Sequence, residues 1–534
     1  MRRLALPGAV LLALAVVFAV AWVTRPGTSQ ASAQNGQGAA VTSVTRSCPP
    51  SAPGAGAAQI AMIALPAQAA PAGVGVSSGT AKPAAPPAGA ARFSAVLTAP
   101  PAASAGKSTA SGKSAAGGQA SPSGKPSAPG SAKAKASPPV TVSTPGTVAT
   151  VAAAGSGGTS VAATGQMAEG FEAEQSDASG TGVVSCTHPG SDMWFVGTGQ
   201  AAGASQVWLY LMNTGNLTAS ADLTILTDTG QQSLASTGQQ GGLSGAITIA
   251  PNQSVAENVT AYVQGSQALA LHVQTNIGQV AASVWEGGKG GGAWLPQANA
   301  PATSLVIPGL TVASSAAKLF VVVPGSTDAQ LKIVAYTPSG AVTQFPGSPV
   351  DASAGAATPL ALNSLGASAS GLRLTSNQPV VAGVLVPGAG IGSFTTAEPP
   401  ITEQGVVAGN PAARGTTVGL LLTAPSAATR AQISVISPDG TVMTPAGDQS
   451  VTVAAGHTLA LAVPRPSAAS RQPFAIVITP EPGSGPLYAV RVVTSGTGGL
   501  SGAVSSLLPV ASAMTSITLP PAQDSYSAVL PLSP

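Results

Sequence analysis

Charged side chains make up 7% of the 534 residues and aromatic ones 3%; histidines number three and cysteines two. Each scarcity removes a class of function. Sparse lysines without aromatic neighbours give no stacking surface for nucleic acid, which is excluded as a partner. His188, His272 and His457 fall at unrelated places, so no His-Glu-x-x-His pair forms, and Gly-x-Ser-x-Gly, phosphate-loop and Ser-x-x-Lys patterns are lacking too. Cys186-Thr187-His188 has no further Cys or His near it in sequence, short of the three or four ligands a metal needs. No catalytic, cofactor-binding or metal residue is therefore assigned. A sustained helical period is missing after residue 40. Acid is missing from residues 1–168, which hold eleven Lys and Arg, while the remainder holds all 17 acids against nine bases; the overall +3 conceals this split.

What the chain does contain is a strand and turn that recurs. Thr227-Asp228-Thr229-Gly230 closes one β-rich stretch, Thr337-Pro338-Ser339-Gly340 a second and Ser437-Pro438-Asp439-Gly440 a third. A period of about 100 residues is too long for a solenoid coil and suits one small β domain. Upstream of each lies an apolar strand, at 207–212, 319–323 and 418–422; downstream come alternating strands at 246–249 and 451–453. The last pair falls at 269–275 with 280–284, at 372–375 with 380–384, and in the third copy at 488–494 with 500–504. Short alternating strands punctuated by Gly, Pro and Asn predict an all-β chain of tandem immunoglobulin-like sandwiches of roughly seven strands. The alternative is a β-propeller in which each repeat supplies two blades; one motif per repeat favours the sandwich.

The N-terminus sets the compartment. Arg2 and Arg3 precede an apolar run over residues 4–23, long enough to span a bilayer as a helix, with the positive end inside. A retained single-pass anchor is expected, the alternative being secretion after cleavage near Ala33, where small residues sit well beyond the apolar end. Export and an even count make a Cys48–Cys186 disulfide the expected pairing. The chain then divides into an anchor and tether (1–33), an N-terminal β module closed by that disulfide (40–189), three sandwich repeats (190–290, 305–390 and 412–510) and a tail (511–534). Within the N-terminal module, residues 100–139 are almost wholly Ala, Ser, Gly, Pro and Lys, a composition that predicts disorder. Their dispersed lysines are expected to act as a solvated spacer, with weak, salt-dependent attraction to anionic wall polymers as the alternative.

Two side-chain groups invite a function. Glu169, Glu172, Glu174 and Asp177 form the densest acidic group, expected to be a solvated connector because its spacing fits no calcium loop. Paired carboxylates of glycoside hydrolysis are the other reading. Trp194, Trp208, Trp285 and Trp294 are the candidates for a sugar platform. Trp208 is expected in the core between sheets. Trp294, after the Gly-rich 287–292, is the best placed to be exposed, or else to seal the first two repeats together. Trp294 and Trp194 are the candidate ligand contacts.

The exported leader, Ser47-Cys48-Pro49-Pro50, Cys186-Thr187-His188-Pro189 leading to Trp194-Phe195-Val196-Gly197, and strands like Val280-Ala281-Ala282-Ser283-Val284 are together similar to a family of actinobacterial envelope proteins known only as a domain of unknown function. The resemblance covers most of the chain after residue 40 and implies an envelope location, with no activity, cofactor or site residue to carry over. The expected function is a non-enzymatic extracytoplasmic scaffold or accessory factor near the membrane, partnered by envelope proteins. The alternatives are a wall-polymer-binding module and an unrecognised hydrolase.

Overall fold

Period-two alternation builds the repeats. The strands Ala219–Thr227, Ala329–Tyr336 and Thr429–Ile436 bury every second residue along most of their length, so that Ala221, Leu223 and Ile225, or Ala431, Ile433 and Val435, line an interior. The turn after each strand closes on Gly230, Gly340 or Gly440, whose φ angles of 103°, 74° and 85° are ones that side chains rarely allow. That conformational need is why Gly recurs there. The hydroxyl opening the turn folds onto the third residue: Thr227 Oγ1 lies 2.9 Å from Thr229 Oγ1, and Thr337 Oγ1 3.1 Å from Ser339 Oγ.

The structure, a computed structural model, describes residues 41–65 and 141–513, except 154–156, 178–181, 235–245, 311–315, 341–342, 366–369, 389, 444–449, 467–471 and 497, together with the strands Gly38–Ala40, Ala91–Val96 and Ser516–Thr518. The apolar run 4–23, the cleavage element near Ala33 and the Lys-bearing stretch 100–139 lie outside the described residues. Among the described residues the chain is all-β, helix being limited to short 3-10 turns such as Thr260–Val263, and no helix is long and apolar enough to cross a membrane.

Nine strands make the first repeat: Asp192–Thr198, Gln206–Asn213, Ala219–Thr227, Gly230–Gln231, Ala246–Ile249, Gln253–Asn258, Ala268–Ile277, Ala281–Gly288 and Gly291–Leu295. Counted in chain order, the fourth, third, seventh and first pair side by side in one sheet, with the fifth also on the third and the short strand Gln297–Ala298, beyond the ninth, on the first; the sixth, second, eighth and ninth form the other. All these pairings are antiparallel. The third repeat, 405–509, has the same order. In the second, 302–396, the seventh and eighth strands fuse into Gly371–Val386, joining its sheets into one eight-stranded, nearly closed barrel. An immunoglobulin constant domain instead pairs its first strand with its second; here the first pairs with the seventh and the second with the eighth.

The N-terminal module has this topology too. Ser43–Cys48, Gln59–Ile63, Ala91–Val96, Thr141–Val142, Ala149–Ala152, Thr159–Thr164, Glu172–Ser176 and Val183–Ser185 pair as strands one to four and six to nine of a repeat. It is a fourth copy, hidden in the sequence because long stretches separate its second, third and fourth strands. The expected disulfide is present: Cys48 and Cys186 are joined inside this module's core, beside reciprocal backbone bonds between Ser47 and Thr187 of 2.7 and 3.0 Å.

Three readings of the third and first repeats change. The counterparts of 269–275 and 280–284 in the third repeat are Phe474–Pro480 and Tyr488–Ser495, while Leu500 lies in a 3-10 turn before the ninth strand, Ala503–Pro509. Phe474 to Ile478 are buried on both faces, so they show no alternation to read. The Gly-rich connector 287–292 is a hairpin in which Gly287 pairs with Gly292, and it carries the ninth strand beyond the expected boundary at 290.

The modules join in a closed circuit. The first sheet of repeat one packs on the second sheet of repeat two through a shared core holding Val196, Phe320, Val381 and Leu385. Repeat two meets repeat three in the same way, with Leu421, Val490 and Val492 in its core. Repeat three then meets the N-terminal module through Ile63, Val406, Ala408 and Val477. The circuit closes where Val184 of the N-terminal module packs with Tyr210, Trp285 and Trp294 of repeat one. The innermost strands, Val183–Ser185, Gly291–Leu295, Ser393–Thr396 and Ala503–Pro509, each touch the next around, and the last touches the first. Three modules are thus two-sheet units, as in the sandwich reading, the second repeat is a single joined sheet, and all four surround a common centre, as in the propeller alternative. Apart from this body, Gly38–Ala40 and Ser516–Thr518 pair antiparallel.

Candidate functional site

The inner edges of the modules enclose a cavity of about 350 Å³. First strands contribute Arg46, Phe195 and Val406, and ninth strands contribute Val184, Trp294, Leu507 and Leu508. The segments that follow the ninth strands complete the wall with Thr187, His188, Gln297, Glu398 and Ser512. His188, Pro399 and Ala511 are exposed, so the cavity opens to solvent on their side.

The expected acidic connector is a strand in this wall. Glu172–Ser176 turns Ala173 into the module's core and Glu172 and Glu174 outward. Glu172 Oε1 accepts a hydrogen bond from Arg46 Nη2, which also donates to Phe171 O at 3.3 Å. Glu174, 4% exposed, crosses to repeat three: its Oε1 accepts from Ala408 N at 2.7 Å and its Oε2 from Gly409 N at 3.2 Å. These two N–H groups are free because Gly405–Asn410 bulges there, its pairing with Phe474–Pro480 slipping between Val407 and Asn410. Burial raises the Glu174 pKa, opposed by the Arg491 charge and the two N–H donors. Arg491 is fully buried and its guanidinium nitrogens have no hydrogen-bond partner, so Glu174 is the charge that answers it. The connector reading fails because alternating Glu-x-Glu on a strand is also how two carboxylates reach one face.

Glu398 stands apart. It is half-buried in the segment joining repeats two and three, burial pushes its pKa up to about 8, and the Thr396 hydroxyl donates to it at 3.2 Å. His188, exposed at the mouth, is held below its usual pKa by partial enclosure and by the Arg46 charge.

Residues 131–464, more than half of the chain, match a family described as "Family of unknown function (DUF5719)". The chain belongs to that family. No curated protein and no solved structure matches it. The DUF5719 match carries Glu172, Glu174, His188, Trp294 and Glu398, whereas Arg46, Leu507, Leu508 and Arg491 lie in its flanks. The circuit and its central cavity therefore need the chain on both sides of the DUF5719 match.

The four tryptophans separate. Trp294, 5% exposed, lines the cavity and tilts against Tyr210 with ring centroids 5.7 Å apart. The expected exposure of Trp294 is not found, and its ring packs with Val184 of the N-terminal module. Trp194 faces away from the cavity wall and stacks on His272 at 3.8 Å, while Asp192 Oδ1 lies 3.0 Å from His272 Nε2. Trp208 is not in the core between sheets: Val207, Leu209 and Leu211 are, and Trp208 is half-buried on the opposite face. It sits there in one cross-strand row with Trp285 and Trp294. The Trp285 ring covers Gly287 and Gly292, where a Cβ would come within 2.3 and 2.2 Å of it. Aromatic cover over paired glycines accounts for both residue types. His457 is half-buried, its ring against Gly340 of the second repeat.

Sequence reasoning missed Arg46, Arg491 and Glu398. A signal existed for Arg491: a lone charge in the apolar strand Tyr488–Ser495 needs a buried counter-charge. Glu398 had none, since its importance comes only from where the second repeat ends.

Proposed function

We propose that the protein is a non-enzymatic, extracytoplasmic component of the cell envelope, anchored by residues 4–23, whose ring of β modules serves as a scaffold or accessory factor for other envelope proteins. The observation that carries this reading is the use of the cavity's carboxylates. Glu172 is held by Arg46 across the two sheets of the N-terminal module, and Glu174 fastens that module to repeat three through the Ala408 and Gly409 N–H groups, so both acids are taken up by structural contacts. General acid and base chemistry needs a pair of carboxyl groups free to exchange protons with a substrate. The tryptophans described here are buried or half-buried, which speaks against an aromatic platform for wall sugars.

The test is in-cell crosslinking of the full-length protein, extraction in detergent and identification of what co-purifies, alongside retention on purified cell wall. Recovery of one defined set of membrane or envelope proteins, with wall retention abolished by moderate salt, is the expected result. Salt-resistant retention on the wall without a protein partner would overturn the scaffold reading in favour of polymer binding.

A further inference from the structure

We propose that the central cavity binds a small organic cation, an ammonium or guanidinium group on a short apolar body, with Glu398 as its counter-charge. The charges facing the cavity are Arg46, Glu172, Glu174 and Glu398, with His188 at its mouth. Arg46 is matched by Glu172, and Glu174 by two N–H donors and the Arg491 charge behind them. Glu398 has the Thr396 hydroxyl and, among the described residues, no cation. A carboxyl left unmatched in a cavity wall selects a positive group over a neutral or negative one.

A second observation points to a ligand. Ser283 Oγ, on a residue 1% exposed, belongs to the cavity wall and has no hydrogen-bond partner. Buried hydroxyls are ordinarily satisfied, and this one would pair with an N–H or oxygen of the bound molecule. The remaining wall is largely apolar, with Trp294 supplying an aromatic surface that favours cations and Phe195, Leu507 and Pro296 surrounding an alkyl body. A bare metal ion does not suit this wall, because no group of three or more metal-ligating side chains exists among the described residues. The volume of about 350 Å³ falls in the range of small-ligand sites.

The unliganded Glu398, held up to about 8, is largely protonated at pH 7, so a bound cation must draw it into the charged form and release a proton. Calorimetric titration of the full-length protein in detergent, with butylguanidinium, n-butyltrimethylammonium, 1-butanol and butyrate as probes, tests this. Both cations should saturate a single site while butanol and butyrate do not. The binding heat should change with the ionisation heat of the buffer, and Glu398→Gln should weaken butylguanidinium by about tenfold or more. Equal binding of butanol, no binding of either cation, or unchanged affinity in folded Glu398→Gln would overturn the proposal. If Glu398→Gln does not fold, the charge series and proton release on the unaltered protein decide. The scaffold reading is tested separately by its co-purifying partners and survives failure here.

Discussion

Two junctions in the ring are built from opposite materials. Between the second and third repeats the contact is mainly apolar: Val490 sits over Gly309, Leu421 and Val492 join the same core, and the one backbone bond across it among the described residues runs from Thr458 N to Thr337 O at 3.2 Å. Between the third repeat and the N-terminal module an apolar patch is supplemented by Glu174, a bulged strand and the buried Arg491. The first junction joins neighbours in the chain, whose short connection already limits how they can meet. The second joins segments 234 residues apart, as from Glu174 to Ala408. Apolar faces alone tolerate sliding, whereas a carboxylate that must find two particular N–H groups fixes one register. The polar lock stands where the covalent chain gives the least guidance.

The comparison is most exposed to removal of Glu174. Glu174→Ala leaves two buried N–H groups and the Arg491 charge without an answer, and should cost about 4 kcal/mol, read as a fall in the urea midpoint. Glu174→Gln keeps one acceptor but not the charge that answers Arg491, and should cost only somewhat less. Hydrogen exchange should rise first along Gly405–Asn410, before the sheets of the first repeat respond. A loss spread evenly over all junctions would mean that Glu174 is not a local lock.

The disulfide guards the same N-terminal module by a different means. Joining Cys48 to Cys186 across 138 residues constrains the unfolded chain, and replacing both by Ser should lower stability by about 3 kcal/mol. If the N-terminal module mainly closes the ring, the double Ser variant should loosen the Gly405–Asn410 junction as well. If it does not, the bridge serves that module alone.

Much of this organisation can be read in the residues, and the part that cannot has a physical reason. The Gly-closed turns were legible because a positive φ leaves a fixed mark, Gly230, Gly340 and Gly440, and so were strands with one buried face. Phe474–Pro480 was not, because a strand buried on both faces loses its alternation. The fourth copy escaped because its hydrogen-bonding order survives where its spacing does not. The cavity was the least legible. It draws Arg46, Glu174, Trp294 and Leu508 from three modules and Glu398 from the segment after the second repeat, and no local pattern records that they converge.

The apolar junction can be sharpened by a double-mutant cycle. Gly309 has φ of 99°, and a Cβ there would lie 2.6 Å from Val490 Cγ1, so Gly309→Ala should cost about 2 kcal/mol through strain and overpacking. Val490→Ala should cost about 1 to 2 kcal/mol on its own by opening space. Together they should cost less than the sum, by roughly 1 kcal/mol, because the smaller side chain makes room for the added methyl. Strict additivity would show that the two faces do not press on each other.

A pH series separates ring locks from carboxyls that serve one module. Glu286 is fully buried within repeat one, where Thr198 donates to it from N at 2.9 Å and from Oγ1 at 2.8 Å, and burial pushes its pKa up to about 8. The folded chain therefore holds a proton that the unfolded chain releases above its ordinary pKa of 4.5. A raised acid contributes its full share of stability below that lower value and loses it as pH rises towards 8. Within that window the loss from Glu286 should approach a ceiling of about 1.4 kcal/mol per pH unit, and Glu398 acts in the same direction. Glu286→Gln can keep both contacts, its amide oxygen accepting from Thr198 N and its amide nitrogen donating to the hydroxyl. Urea midpoints between pH 5 and pH 8 should then fall less steeply in Glu286→Gln than in the unaltered protein, with little change at pH 5. An equal slope in the two would locate the pH sensitivity elsewhere, with Glu174 at the ring-closing junction as the next group to replace.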